Sequence, residues 1–349
     1  MKNQIRQRLE RAISDRVCPG AVAGVAYRDG RRETVSAGRF TYEAESPLVR
    51  DDTAYDVASI TKSIPTNCLA LKLVEEGRLG LDDHLTKYLP DFHNNYGDQV
   101  RIRHLLTYAL IPNFPTPGFV LEKATPAEIR ENMLAVDLLF PPGKKVKYSN
   151  YPALLLTMAL ERITGQPLDV LAAQYFFDPL GMDSSTFAPP DPSAIPPTEI
   201  DAWRGLVQGV VHDETSYVMS RERPSGCAGL FSNAPDILTF LEMLLREGEL
   251  GGTRYFNPET VRQMHTNQVA DAGASMGLGW ELSEPRFMGA HASAATFGKT
   301  GFTGTSCVID IARGAAFVLL SNRTYPKRGS ADAINELRRD ISDIVLASV

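Results

Sequence analysis

Thiols and imidazoles are few and scattered in this chain. The four cysteines, Cys18, Cys68, Cys227 and Cys307, form no pairwise motif, which predicts reduced structural thiols and argues against a disulfide framework or a thiolate zinc site. The six histidines are equally dispersed, without metal-ligand spacing, so neither a metal nor a cofactor is expected. No apolar run approaches the roughly 20 residues of a membrane span. The segment Met1 to Arg16 is charged throughout and has no apolar signal-peptide core, so the chain is expected to be cytoplasmic, with no membrane partner. A net charge of -6 argues against nucleic acid, and the lone basic cluster, Lys144, Lys145 and Lys147, is too short to reverse that and reads as solvated. There is no internal repeat, and no G-x-S-x-G elbow of the kind an α/β-hydrolase triad needs.

What is present is enough for a large core. A chain of 349 residues, 43% apolar, exceeds what one hydrophobic core usually serves and predicts two lobes. Ile5, Leu9 and Ile13 form an amphipathic stripe. Ala21 to Tyr27 and Glu33 to Ala37 read as strands joined at Asp29-Gly30. At the other end, Ser306 to Ile311 and Ala315 to Leu320 read as strands, and Ile334, Leu337, Ile341, Ile344 and Val345 as one face of a final helix. Both ends are therefore expected to build one antiparallel sheet, with the two terminal helices on its same face. The expected lobes are residues 1–58 with 265–349, and a mainly helical 59–264, with the active site between them. Within the latter, Cys68 to Glu76, Pro152 to Ile163 and Asp236 to Arg246 read as helices. Ala188 to Pro197 is an irregular loop, either a surface crossing or a pocket wall.

Ser59-Ile60-Thr61-Lys62 places a hydroxyl and an amine on one face of a helix starting near Ser59. Alone, the pair is near chance, since about one such spacing is expected in a chain of this composition. Context adds weight, because Tyr55 to Ala58 reads as a strand, and the N–H groups of the turn after it lack intrahelical partners. The Ser59 amide can thus supply half of an oxyanion hole. A serine hydroxyl needs a base. Lys62 can serve if its pKa falls from about 10.4 toward 7, and Tyr148 can serve as phenolate if its own falls from about 10. Both bases remain open, with Lys62 and Lys299 as sources of positive field. Asn150 can hydrogen-bond Lys62 or a substrate amide. Pro65 is expected to kink or break the helix that carries Lys62.

Lys299-Thr300-Gly301 lies within Ala295 to Gly304, where small residues would let substrate lie along an edge strand. It does not complete a P-loop, because Ser293 stands where the first glycine belongs. His212-Asp213-Glu214 reads as a solvated loop.

Taken in order, these motifs resemble the serine β-lactamase and penicillin-binding-protein superfamily, which carries S-x-x-K and K-T-G. The class C β-lactamase-like branch, which includes esterases and amide hydrolases, is the nearest, because the middle motif is Tyr148-x-Asn150. Arg103 to Thr107, Pro142-Gly143, Pro179 to Met182 and Gly301 to Thr305 extend the resemblance over most of the chain. It implies a β-lactamase/transpeptidase-like fold of α/β plus all-α type, an antiparallel sheet flanked by N- and C-terminal helices with a large helical insertion. It also implies that Ser59 is acylated and that Lys62 and Tyr148 act as base and then acid. Asn150, Lys299, Thr300 and Gly301 would bind or orient substrate, and the N–H groups of Ser59 and Phe302 would receive the oxyanion.

Two departures shape the expected chemistry. Tyr108 to Pro112 replaces the His-Thr-Ser-Gly common in relatives, and Phe302 stands where β-lactamases place a small hydroxyl residue. A bulky phenyl favours an apolar or compact acyl substrate over a lactam, although Lys299 keeps an anionic substrate open. The expected activity is that of a carboxylesterase or amide hydrolase on a small ester, amide or lactam. A β-lactamase or D-Ala-type peptidase is the alternative, and a non-catalytic binding protein retaining the fold is the second.

Overall fold

The computed structural model describes residues 1–114 and 121–349. Helix α1 (Lys2–Ser14) buries Ile5, Leu9 and Ala12 along one stripe. Strands β1 (Gly20–Tyr27) and β2 (Arg32–Gly38) follow as a hairpin, with Gly30 at φ +91° in its turn, a conformation open to glycine. The helical middle includes α2 (Cys68–Glu75), α3 (Tyr151–Thr164) and α4 (Ala234–Leu245). The chain then returns through β3 (Glu281–Leu282), β4 (Thr296–Thr300), β5 (Ser306–Asp310) and β6 (Ala315–Ser321) to α5 (Asp332–Leu346). The six strands form one antiparallel sheet in the order β2-β1-β6-β5-β4-β3, with Ala21 opposite Ser321 and Tyr27 opposite Ala315. Both chain ends therefore build one sheet, as their apolar patterns predict.

All eight residues of β1 are buried because both sheet faces are covered. On one face Ala21, Ala23 and Val25 pack with Ile5 and Leu9 of α1 and with Leu337, Ile341 and Val345 of α5. On the other, Val22, Ala26, Val318 and Leu320 share a core with Leu238 and Leu241 of α4. Gly24 marks the closeness of that packing, since a Cβ there would stand 2.8 Å from Leu238 Cδ1. A boundary at residue 264 would assign α4 to the helical lobe, yet α4 is a layer of the sheet, and one core runs through both parts.

The segment that carries the first motif is short. Tyr55–Asp56 pairs with Phe231–Ser232, the chain turns at Ala58 (φ +48°), and a helical turn follows. Ile64 interrupts it at φ -120°, ψ 109°, the extended conformation that a following proline imposes. Of the two outcomes expected at Pro65 the break is the one found, and it separates the turn of Lys62 from α2. The helix α3 begins beside Asn150, carries Pro152 in its first turn, and ends at Gly165 with φ +73°, which follows the proline-first, glycine-last asymmetry of helices.

Candidate active site

Ser59 sits directly after a residue in the left-handed region, which costs a non-glycine residue of order 1–3 kcal/mol. Asp56 holds that turn: its Oδ1 accepts the Ala58 N–H at 2.8 Å, and its Oδ2 accepts the His212 N–H at 2.7 Å. Burial raises the Asp56 pKa to about 6 against the two N–H donors, which lower it.

The Ser59 hydroxyl meets both predicted bases. Tyr148 Oη lies 2.5 Å from Ser59 Oγ, and Lys62 Nζ donates to Ser59 Oγ at 2.9 Å and to the Cys227 carbonyl at 2.7 Å. Burial pushes the Lys62 ammonium down, but Tyr148, Cys227 and Tyr108 outweigh it, and the net shift is upward. A neutral lysine base at pH 7 needs the opposite shift. Lys299 is also fully buried, and its Nζ stands 4.4 Å from the Tyr148 ring centroid and 4.6 Å from that of Tyr108. Its partner is Glu281 Oε1 at 2.9 Å. Burial opposes the Lys299 charge, yet Glu281 and the two tyrosines raise its pKa overall. In turn, burial would raise the Glu281 pKa, and Lys299 and Arg286 bring it below the usual range. Lys299 is thus held as a cation by a carboxylate of this chain.

The K-T-G strand is not an open edge. Gly298 of β4 faces Glu281 of β3, so only the end near Thr300 is free on that side. Beyond it, Gly301 approaches the nucleophile segment too closely for a side chain: a Cβ would meet Thr305 Oγ1 at 2.1 Å and the Val57 carbonyl at 2.4 Å. Thr303 Oγ1 donates to the Asp56 carbonyl at 2.8 Å and Thr305 Oγ1 to the Val57 carbonyl at 3.0 Å. These two bonds clamp the turn onto the chain leading into Ser59. Among the described residues, neither the Ser59 nor the Phe302 N–H has an acceptor in the protein.

Several contacts around the site differ from those the sequence suggests. The Asn150 amide donates to Asp213 Oδ2 at 2.9 Å, not to Lys62. Asp213 also caps the helix Glu214–Met219 through the Ser216 N–H. His212 is buried and stacks on Phe302 at 5.5 Å between centroids; the solvated-loop reading of His212-Asp213-Glu214 is overturned. Arg323 and Arg328 lie 4.9 and 5.5 Å from the same Phe302 ring. Tyr108 and Glu281 give no short motif; only the fold brings them into the cleft over Ser59. The cleft over Ser59 has a volume of about 420 Å³ and is walled by Tyr108, Val146, Tyr148, Met276 and Phe302, with Glu284 and Arg286 among its polar lining. The Ala188 to Pro197 loop is not part of that wall. All four cysteines are buried and unpaired, and the described residues contain no metal-ligating cluster. No described helix is long and apolar enough to cross a membrane.

Comparison with known proteins agrees with this geometry. The family described as Beta-lactamase matches residues 4–340. A protein of Escherichia coli K12 named "Putative D-alanyl-D-alanine carboxypeptidase" is 33% identical over 306 residues, covering 78% of this chain and 70% of its own. Among solved structures, EstCE1, described as a hydrolase with promiscuous acyltransferase activity, superposes with a TM-score of 0.80 at 22% identity, covering 99% of this chain and 98% of its own. A penicillin-binding protein homologue from Caulobacter crescentus superposes with a TM-score of 0.77 at 18% identity, covering 99% and 97%. At these identities the structural likeness speaks for the β-lactamase/transpeptidase-like fold.

Proposed function

This chain belongs to the beta-lactamase family, and we propose that it is a serine hydrolase acting through an acyl-Ser59 intermediate on a small ester or amide. The observation that carries the reading is the convergence of Tyr148 Oη and Lys62 Nζ on Ser59 Oγ at 2.5 and 2.9 Å. Tyr148 takes the Ser59 proton while the Lys62 and Lys299 ammonium groups stabilise the phenolate. Ser59 Oγ then attacks the substrate carbonyl, and the resulting oxyanion lies between the N–H groups of Ser59 and Phe302. Collapse breaks the bond to the leaving group, which receives the proton from Tyr148. A water deprotonated by the same phenolate then attacks the acyl carbon, the bond to Ser59 Oγ breaks, and Tyr148 returns the proton to Oγ as the acid leaves. Thr300, in the lining of the cleft, orients the substrate, with Gly301 giving room for the turn, while the Asn150 amide is held by Asp213.

Phe302 supports the ester or amide preference. Its exposed ring lines the cleft and offers no hydroxyl to a lactam carboxylate, and Lys299 is fully buried against Glu281. The name carried by the Escherichia coli relative motivates a D-alanyl peptidase as the second reading. Parallel assays with a short-chain nitrophenyl ester, a chromogenic cephalosporin and a D-Ala-D-Ala peptide separate these. Ester turnover should dominate; fast lactam or peptide turnover with negligible ester cleavage would reject the preference. A fluorophosphonate probe should leave its adduct on Ser59 by mass spectrometry, and folded protein that takes up no adduct there would reject the acyl-serine reading.

A further inference from the structure

The turn that carries the Phe302 N–H is held from behind by a buried cation on the last helix. Arg338 of α5 is 4% exposed. Its Nη2 donates to the Gly301 carbonyl at 2.7 Å and to the Thr305 carbonyl at 2.8 Å, and its Nη1 donates to Asn335 Oδ1 at 2.8 Å. Among the described residues it forms no ion pair with a carboxylate. A buried guanidinium without a counter-ion is expensive, and burial, reinforced by Arg323 and Arg286 and opposed by Glu281, lowers its pKa to about 9. The turn is already closed by the Gly301 N–H bond to the Thr305 carbonyl at 2.8 Å, so closure alone does not account for a buried charge.

We propose that Arg338 is a positioning residue for the oxyanion hole, gripping the Gly301 carbonyl so that the Phe302 N–H points at the Ser59 side. The inference rests on the acyl-serine reading above. The Gly301 C=O and the Phe302 N–H belong to one planar trans peptide unit and therefore point in opposite directions. Fixing the oxygen behind the turn fixes the hydrogen in front of it. A cation on that oxygen also draws electron density toward it, which makes the N–H at the other end a stronger donor to a developing anion. The planar guanidinium spans two carbonyls and Asn335 at once, a geometry that a lysine ammonium does not reproduce.

The test compares binding of a tetrahedral adduct with binding of substrate. In Arg338→Met, kcat/KM for a nitrophenyl ester should fall about 10- to 100-fold, below the loss from deleting an oxyanion donor outright. Affinity for a boronic acid, which mimics the tetrahedral adduct on Ser59, should fall in proportion while KM changes little. Added ethylguanidinium should recover part of the rate in Arg338→Ala. Asn335→Ala, which loosens Arg338 without removing it, should show the same paired loss at a smaller amplitude, and it decides the matter if the Arg338 variants do not fold. Folded variants that bind the boronic acid as tightly as the parent would overturn the proposal. Fluorophosphonate labelling of the parent at Ser59 keeps that outcome distinct from failure of the acyl-serine reading.

Discussion

At Tyr148 two buried ammonium groups, Lys62 and Lys299, lie 5.1 and 4.4 Å from one ring centroid, and this convergence sets the proton chemistry. In the proposed mechanism the upward shift of Lys62 gives the lysine the part of stabiliser and leaves the phenol oxygen as the proposed proton acceptor. Tyr148→Phe and Lys62→Ala should therefore each cut the acylation rate by orders of magnitude in stopped-flow measurements, with thermal unfolding nearly unchanged for the half-exposed tyrosine. Normal acylation in Tyr148→Phe would remove the phenol from the mechanism. Phe302→Ser should raise the ratio of cephalosporin to ester turnover, because it restores a small hydroxyl beside Thr300; an unchanged ratio would show that the phenyl ring does not set specificity. At Asp56 the folded state binds its proton more tightly than the unfolded chain does, with pKa values near 6 and 3.8. Its carboxylate thus favours folding less as pH rises from about 4 to about 6, by roughly 3 kcal/mol in all. Asp213 reinforces that upward shift and Arg204 opposes it. Urea midpoints at pH 4.5 and 7 should differ less in Asp56→Asn than in the parent, and identical pH dependence in the two would count against a titrating Asp56.

The elements of the site are short, and cross-element bonds keep them in register. Glu281 on β3 and Lys299 on β4 form an ion pair at 2.9 Å, with the lysine completely buried. Glu281→Gln leaves that ammonium without a counter-ion and should cost about 3–5 kcal/mol by chemical denaturation. The double variant Glu281→Leu with Lys299→Met should regain much of that stability yet stay far less active than the parent, since the Lys299 charge no longer acts on Tyr148. Recovery of activity in the double variant would show that the pair is only structural. The K-T-G run is readable because three residues meet in sequence, whereas its clamp is not: Thr303 and Thr305 reach Asp56 and Val57 from 247 and 248 residues away. Pro65 was legible as a disturbance. Its consequence, a break at Ile64 that frees the Lys62 turn from α2, depends on how both sides of the break pack.

Over the whole molecule, the sheet is closed by the two chain ends and covered by α1 and α5 on one face and α4 on the other. Leu337→Ala in α5 should cost about 2–5 kcal/mol as a core truncation, with kcat little changed below the melting transition. A large kcat loss in the folded variant would mean that α5 repacking reaches the oxyanion turn. The terminal strands, the helices and the candidate nucleophile were legible in the sequence, because period-2 and period-3.6 apolar patterns and the Ser59, Tyr148 and Lys299 motifs are local signals. The place of α4 was not, since an amphipathic stripe records that a face is buried without saying against which layer. Asp56, Glu281 and Arg338 escaped for a related reason. Each is an isolated polar residue whose meaning is a contact, and burial and partner identity arise only when distant segments are brought within hydrogen-bond reach. The sequence by itself determined which groups are candidates to react, because that chemistry is written in residue types at short spacing. Only the tertiary structure decided the orientations of those groups and the direction in which the pKa values of Lys62 and Lys299 move, because desolvation and Coulomb interactions depend on distances through space.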